Sequence, residues 1–230
     1  MMTRLKEDFY LNFIKDDRFM YLLSGLGNTL LITLVAVVVG ILLGFLLAYI
    51  RTTHDKTGKW KIPNLIAHFY ITVIRGTPMV LQLLIVYFVI FASVNVPKII
   101  VAFIAFGMNS AAYVAEIIRA GIMSIDAGQS EAGASLGFSY TQTMLYFILP
   151  QAIKNVLPAL GNEMIVLLKE TSVAGYIAMN DLTRGADIIR SQTYSAFMPL
   201  LMAAAIYLFF VLILDSLVKK LERKLKSSDH

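Results

Sequence analysis

No charged side chain interrupts the chain between Arg18 and Arg51. A helix crosses the hydrocarbon of a bilayer with roughly 20 apolar residues at about 1.5 Å each, and only a helix or a closed barrel satisfies its backbone groups in lipid. The run exceeds that length, so a crossing helix is expected over residues 22–50, with its first turns in the interface. Gly25 and Gly27 are the natural places for a bend. Gly40 and Gly44 form a GxxxG pair, which either lets another helix approach closely or is simply tolerated in apolar surroundings. The run is too long, and the residues before it too mixed in charge, for a cleavable signal peptide, so this helix is expected to stay.

The rest of the chain agrees with a membrane setting. Of 230 residues, 58% are hydrophobic and 15% charged, and the mean hydropathy is +0.72, too apolar for one water-soluble core. Cysteine is absent, which removes disulfides, thiolate metal sites and cysteine nucleophiles. The net charge of +5 is not a nucleic-acid signal, because Lys219, Lys220, Arg223, Lys224 and Lys226 crowd the end of an apolar run, where the cytoplasmic leaflet holds them.

Further apolar stretches predict helices over residues 62–91, 97–119, 151–178 and 195–217, the first of them broken by Arg75-Gly76-Thr77-Pro78. The expectation is a single all-α transmembrane domain, 1–230, with five crossings and termini on opposite sides. With the basic tail inside, Arg51, Lys56, Lys59, Lys61, Arg119 and Lys154 also fall inside. Arg4, Lys6, Lys15, Arg18, Lys98, Arg184 and Arg190 fall outside. That modest bias puts the N-terminus outside and the C-terminus in the cytoplasm. Trp60, between Lys59 and Lys61, fits an aromatic anchor at the inner surface.

Residues 125–149 interrupt the apolar pattern with a polar-to-amphipathic elbow. Asp126 can cap a first helix with Gln129 as capping-box partner, Gly137 stops it, and Ser139 with Gln142 repeats the box for a second. Ala132, Gly133, Ala134 and Ser135 give the first helix a smooth surface able to sit in a groove. Leu136 and Phe138 add apolar contact at the bend, and Glu131 is the one strong acceptor.

This pattern resembles the EAA loop of the membrane subunits of ABC importers, whose form is Glu-Ala-Ala, three residues, Gly, nine residues, Ile, one residue, Leu-Pro. The match is Glu131, Ala132, Gly137, Leu149 and Pro150; Gly133 replaces the second Ala and Phe147 the Ile. Arg75-Gly76-Thr77-Pro78 with Gln82 is similar to the RGTP-x3-Q signature of the polar amino-acid permease branch. The stretch from Ala112 to Gly121 and Lys169-Glu170-Thr171-Ser172 resemble that branch too. The resemblance implies a five-helix subunit of a bacterial inner membrane that pairs with a second copy or a related permease. It also implies two cytoplasmic ABC ATPases and an extracytoplasmic amino-acid-binding protein. Glu131, Ala132, Gly133, Gly137 and Phe138 would then couple the chain to the ATPases.

Other readings of the same residues fit less well. Gly133-Ala134-Ser135-Leu136-Gly137 fits the GxSxG elbow of serine hydrolases, but that motif needs a strand-turn-helix setting and a later His, and only the terminal His230 follows. No GxxxxGK[ST] segment occurs, so the chain itself is not an ATPase: ATP and Mg²⁺ belong to a partner, and no cofactor is expected on this chain. His54 and His68 lack ligand-spaced companions, which argues against a metal site.

Intramembrane polar groups are costly and mark either a path or a structural pair. The candidates are Arg75, Glu163, Lys169 and Glu170, together with Gly76, Thr77, Pro78, Gln82 and Thr171 at two helix breaks; broken helices of this kind often build midplane sites. Arg75 or Lys169 could equally form a buried pair with Glu163 or Glu170. Glu116, one helical turn from Arg119, reads as structural. Broken helices alone would also fit an ion-gradient-driven secondary amino-acid transporter, against which stand the small size, the lack of internal repeats and the docking elbow.

Overall fold

The computed structural model describes residues 2–227; the side chains of Arg4 and Lys226, and all of His230, lie outside the described residues. The described chain is helical, without a strand among the described residues. Its helices are α1 (Met2–Phe9), α2 (Phe19–Thr57), α3 (Lys61–Gly76), α4 (Met79–Ile85), α5 (Lys98–Met123), α6 (Ala127–Ser135), α7 (Tyr140–Thr143), α8 (Leu149–Glu170), α9 (Leu182–Thr193) and α10 (Phe197–Lys226).

Three of these are long and apolar enough to cross a membrane: Phe19–Thr57, Lys98–Met123 and Phe197–Leu225. Lys61–Gly76 with Met79–Ile90 adds a fourth if that bent pair is one broken span. Helix α8 exists where a crossing was expected but falls short on apolar character, because Gln151, Lys154, Asn155, Asn162 and Glu163 interrupt it.

Contacts divide the chain into two units. One comprises the residues up to Val38, Thr77–Gly107 and Ile165–Ile213. In its core, Ile32 and Ala36 of α2 meet Leu83 of α4, Ala105 and Phe106 of α5, and Leu167 of α8, all essentially inaccessible. A second cluster joins Phe13 and Leu22 to Leu182, Ala186 and Ile189 of α9. Those three residues recur at helical spacing, the signal by which α9 could have been read in the sequence.

The other unit comprises Val39–Gly76, Met108–Met164 and the chain from Leu214 onward. Here Ala48, Val114, Ile118 and Val156 bring α2, α5 and α8 together. The GxxxG pair sits at this junction: a Cβ on Gly40 would overlap the Ser110 hydroxyl, and one on Gly44 would lie 2.6 Å from Val114 Cγ1. Small residues thus bring two helix backbones into close approach.

Two expectations about helix ends are corrected. Helix α2 runs unbroken for 39 residues through Gly25 and Gly27, roughly 58 Å at about 1.5 Å per residue. Gly25 serves close packing, because a Cβ there would overlap the Asp181 carbonyl, whereas Gly27 has open space beside it. The second short helix of the elbow is also not separate from α8. From Tyr140 the chain stays helical through a π-helical turn, Met144–Ile148, directly into α8. The expected end of that helix is itself irregular: Thr171–Ile177 winds as 3-10 helix and closes on Ala178 in the left-handed region, φ 53°.

Candidate coupling elbow and polar helix breaks

The elbow forms from local chemistry. Asp126 Oδ1 accepts the Gly128 N–H at 2.6 Å and caps α6. Gln129 does not complete a box; its Oε1 accepts from Gln151 Nε2 at 3.3 Å, because the cap is spent on the nearer amide of Gly128. At the other end Phe138 N–H reaches Gly133 O and Gly137 N–H reaches Ala134 O, both at 3.0 Å. That pair is a Schellman closure, and Gly137 takes the φ of +81° it requires. Ser139 and Gln142 then form the full capping box that starts α7.

Both departures from the EAA pattern have physical reasons. A Cβ on Gly133 would stand 2.5 Å from Thr143 Oγ1 and 2.6 Å from its Cγ2, so α6 and α7 meet with no room for alanine. Phe147 packs its ring on Phe138 at 5.2 Å between centroids, tilted by 65°, and an Ile there would lose that ring contact. Ala132, Leu136 and Glu131 are exposed.

Beside the elbow lies a cavity of about 470 Å³ whose walls include Glu131, Ser130, Lys56, Asp55 and Arg119. Arg119 also lines a second cavity of about 450 Å³, with Arg51, His68, Arg75, Tyr113 and Glu116. Between them runs a chain of alternating charge. Asp55 Oδ2 lies 3.3 Å from Arg119 Nη1, Arg119 Nε lies 3.5 Å from Glu116 Oε1, and Glu116 Oε2 lies 3.3 Å from Arg75 Nη1. Arg75 also sits 5.5 Å above the Tyr113 ring.

The remaining path candidates divide between the two units. Arg75, Gly76 and Glu163 lie in the unit that holds the elbow, whereas Thr77, Pro78, Gln82, Lys169, Glu170 and Thr171 lie in the other. Sequence reasoning offered Glu163 or Glu170 as the partner of Arg75; the structure pairs it with Glu116, a tertiary choice that no spacing encodes. Gln82, 9% exposed, mends the break at Pro78: its Nε2 donates to Thr77 O at 3.0 Å and to Thr77 Oγ1 at 2.8 Å. Thr171 is fully buried and donates to Leu168 O, while Lys169 is exposed and Glu170 half-buried.

Sequence reasoning also missed Asp181. It is fully buried, caps α9 by accepting the N–H groups of Thr183 and Arg184 at 2.7 and 3.0 Å, and is held against Gly25. Burial pushes its carboxyl up to about 6, against the opposing pull of the Arg184, Thr183 and Gly175 amides.

Residues 40–227 match the family model described as the binding-protein-dependent transport system inner membrane component. The chain belongs to that family. This permease component is 43% identical over 211 residues to the arginine transport system permease protein ArtQ of Bacillus subtilis (strain 168), covering 91% of this chain and 94% of that one. It is 36% identical over 208 residues to the glutamine transport system permease protein GlnP of Escherichia coli (strain K12), covering 89% and 93%. Among solved structures, a crystal structure of an amino acid ABC transporter with histidines superposes with a TM-score of 0.83 at 45% identity, over 90% of this permease and 94% of that chain. An inward-facing MetNI methionine ABC transporter, at 16% identity and a TM-score of 0.76 over 91% and 98%, shares the fold. The permease is a multi-pass membrane protein and not itself a catalyst.

Proposed function

We propose that the permease is the membrane-spanning subunit of an ATP-driven importer of a polar amino acid, working by alternating access. The observation that carries this reading is the 43% identity, across nearly the whole chain, to a relative named as an arginine permease. ATP and Mg²⁺ act on a cytoplasmic ATPase dimer, to which this chain contributes a docking lever and no phosphate cradle. A second copy of the chain or a related permease completes the membrane pathway, and an extracytoplasmic binding protein delivers the amino acid.

In this reading the chain crosses the bilayer five times, with α8 as the least apolar crossing, the N-terminus outside and the C-terminus in the cytoplasm. Glu131, Ala132, Gly133, Gly137 and Phe138 are the lever gripped by the ATPase. Its movement reaches the Gly76-Thr77-Pro78 break through the Asp55–Arg119–Glu116–Arg75 charges, whose rearrangement costs little because each pair is partly exposed. Each unit offers polar groups to a zwitterionic substrate, Arg75 and Glu163 in one and Thr77, Gln82, Lys169, Glu170 and Thr171 in the other.

The test is purification from native membranes and reconstitution into liposomes. An ATPase should co-purify, and uptake of labelled arginine or glutamine should need ATP inside and stop with vanadate. Ion-coupled uptake by the chain alone would overturn the reading.

A further inference from the structure

Between α2 and α3 lies a half-open groove of about 470 Å³, walled by Leu43, Leu46 and Ile50 on one side and Ile62 and Ile66 on the other, with Tyr70 deeper in. Its lining is apolar throughout, and Tyr70, its one polar side chain, is satisfied because the hydroxyl donates to Met108 O at 2.5 Å. Leu46, Ile62 and Ile66 are 52%, 73% and 63% exposed, so the groove is open along its length.

At one end of the groove, Ile50 and Ile62 lead into a cationic turn. Ile50 is followed by Arg51, and Ile62 is preceded by Lys61. Between them, Gly58 N–H bonds to His54 O at 2.8 Å, His54 Nδ1 lies 2.8 Å from Lys59 O, and Lys59 N–H reaches Thr57 Oγ1 at 3.2 Å. Gly58 and Trp60 both take left-handed φ values, 66° and 61°, and Trp60 packs edge-on against Tyr49 at 5.7 Å. The turn presents Lys56, Lys59 and Lys61, all exposed and none in an ion pair among the described residues. Its one acid, Asp55, is taken by Arg119. Arg51 is anchored to Asn64 Oδ1 at 3.0 Å, and its buried Nε has no hydrogen-bond partner.

We propose that this groove holds an acyl chain of an anionic phospholipid whose phosphodiester headgroup rests on the Arg51–Lys61 turn. The site complements both ends of one molecule: apolar walls match a hydrocarbon tail, and unpaired cations beside a Trp/Tyr anchor match a phosphate at the interface. Neutral lipid would fill the walls equally well, so the lysines set the preference. That the headgroup belongs to the cytoplasmic leaflet rests on the topology proposed above.

The test is native mass spectrometry of the full-length chain, purified with its partner subunits, against equimolar phosphatidylglycerol and phosphatidylcholine of matched chains. The unaltered protein should retain phosphatidylglycerol preferentially. K59Q/K61Q should lower that preference about 30-fold, from a factor of about five per lysine near a membrane surface. Ile66→Trp, which fills the groove from an exposed wall, should lower retention of both lipids. An unchanged preference in K59Q/K61Q overturns the proposal. So does displacement of the bound lipid by inorganic phosphate, which would assign the turn to a free anion. A photo-crosslinker at position 66 that joins to a second polypeptide, with no lipid captured, would also overturn it. Lipid retention is read without transport, so its failure leaves the importer reading standing, and the reverse holds too.

Discussion

Asp181 shows how one buried side chain ties local geometry to solution behaviour. Its carboxylate closes the first turn of α9 while having almost no access to water, and its pKa of about 6 lies above the ordinary 3.8. Between about pH 4 and pH 6 the folded state therefore holds more of this proton than the unfolded chain does. Stability from this group rises as pH falls from about 6 toward 4, by at most about 3 kcal/mol at about 1.4 kcal/mol per unit. Thermal unfolding in detergent at pH 5 and 7.5 should show a higher Tm at the lower pH. In D181N, which still caps well, that gap should shrink; an equal gap would assign the effect to other groups. Glu131 is the opposite case, an exposed carboxylate with no ion pair among the described residues. Glu131→Arg should leave insertion and abundance unchanged and abolish ATP-dependent uptake, whereas preserved uptake would remove it from the lever.

Within the elbow, α6 and α7 meet most tightly at one contact. Gly133 and Thr143 face each other so closely that G133A should displace α6 from α7, at an overpacking cost of roughly 1–3 kcal/mol. Uptake should fall with it, and G133A/T143A should recover most of the loss, since the alanine removes both atoms that the new methyl would strike. Failure of the double variant would place the effect of G133A outside this contact. The elbow was legible because its caps and stop are written in adjacent residues: Ser139 with Gln142, and Gly137 alone. Gln129 was misread because spacing offered a box while Gly128 offered a closer amide. Helix α9 was overlooked because its apolar positions, Leu182, Ala186 and Ile189, are too few to stand out among charges. The bend expected at Gly25 failed for a different reason: glycine permits a bend, but here it permits contact with the Asp181 backbone, and contact is decided by what lies opposite.

Across the molecule, orientation is the property most open to a direct test, since the absence of cysteine gives a silent background for labelling. A cysteine at Lys59 should react with an impermeant maleimide only from the cytoplasmic side, and one at Arg190 only from outside. Labelling of both from the same side would overturn the five-crossing topology. Helical class, membrane residence, the caps and stop of the elbow and the break at Pro78 were legible from composition and from neighbours along the chain, because backbone satisfaction in lipid and capping chemistry are local demands. Which charges pair was not, because Arg75 could have met any of several acids. Glu116 was selected by the packing of α3 against α5, and Asp181 became a buried cap by the approach of α2 to the start of α9. Burial and pairing depend on distances between residues far apart in sequence, and those distances exist only once the helices have packed.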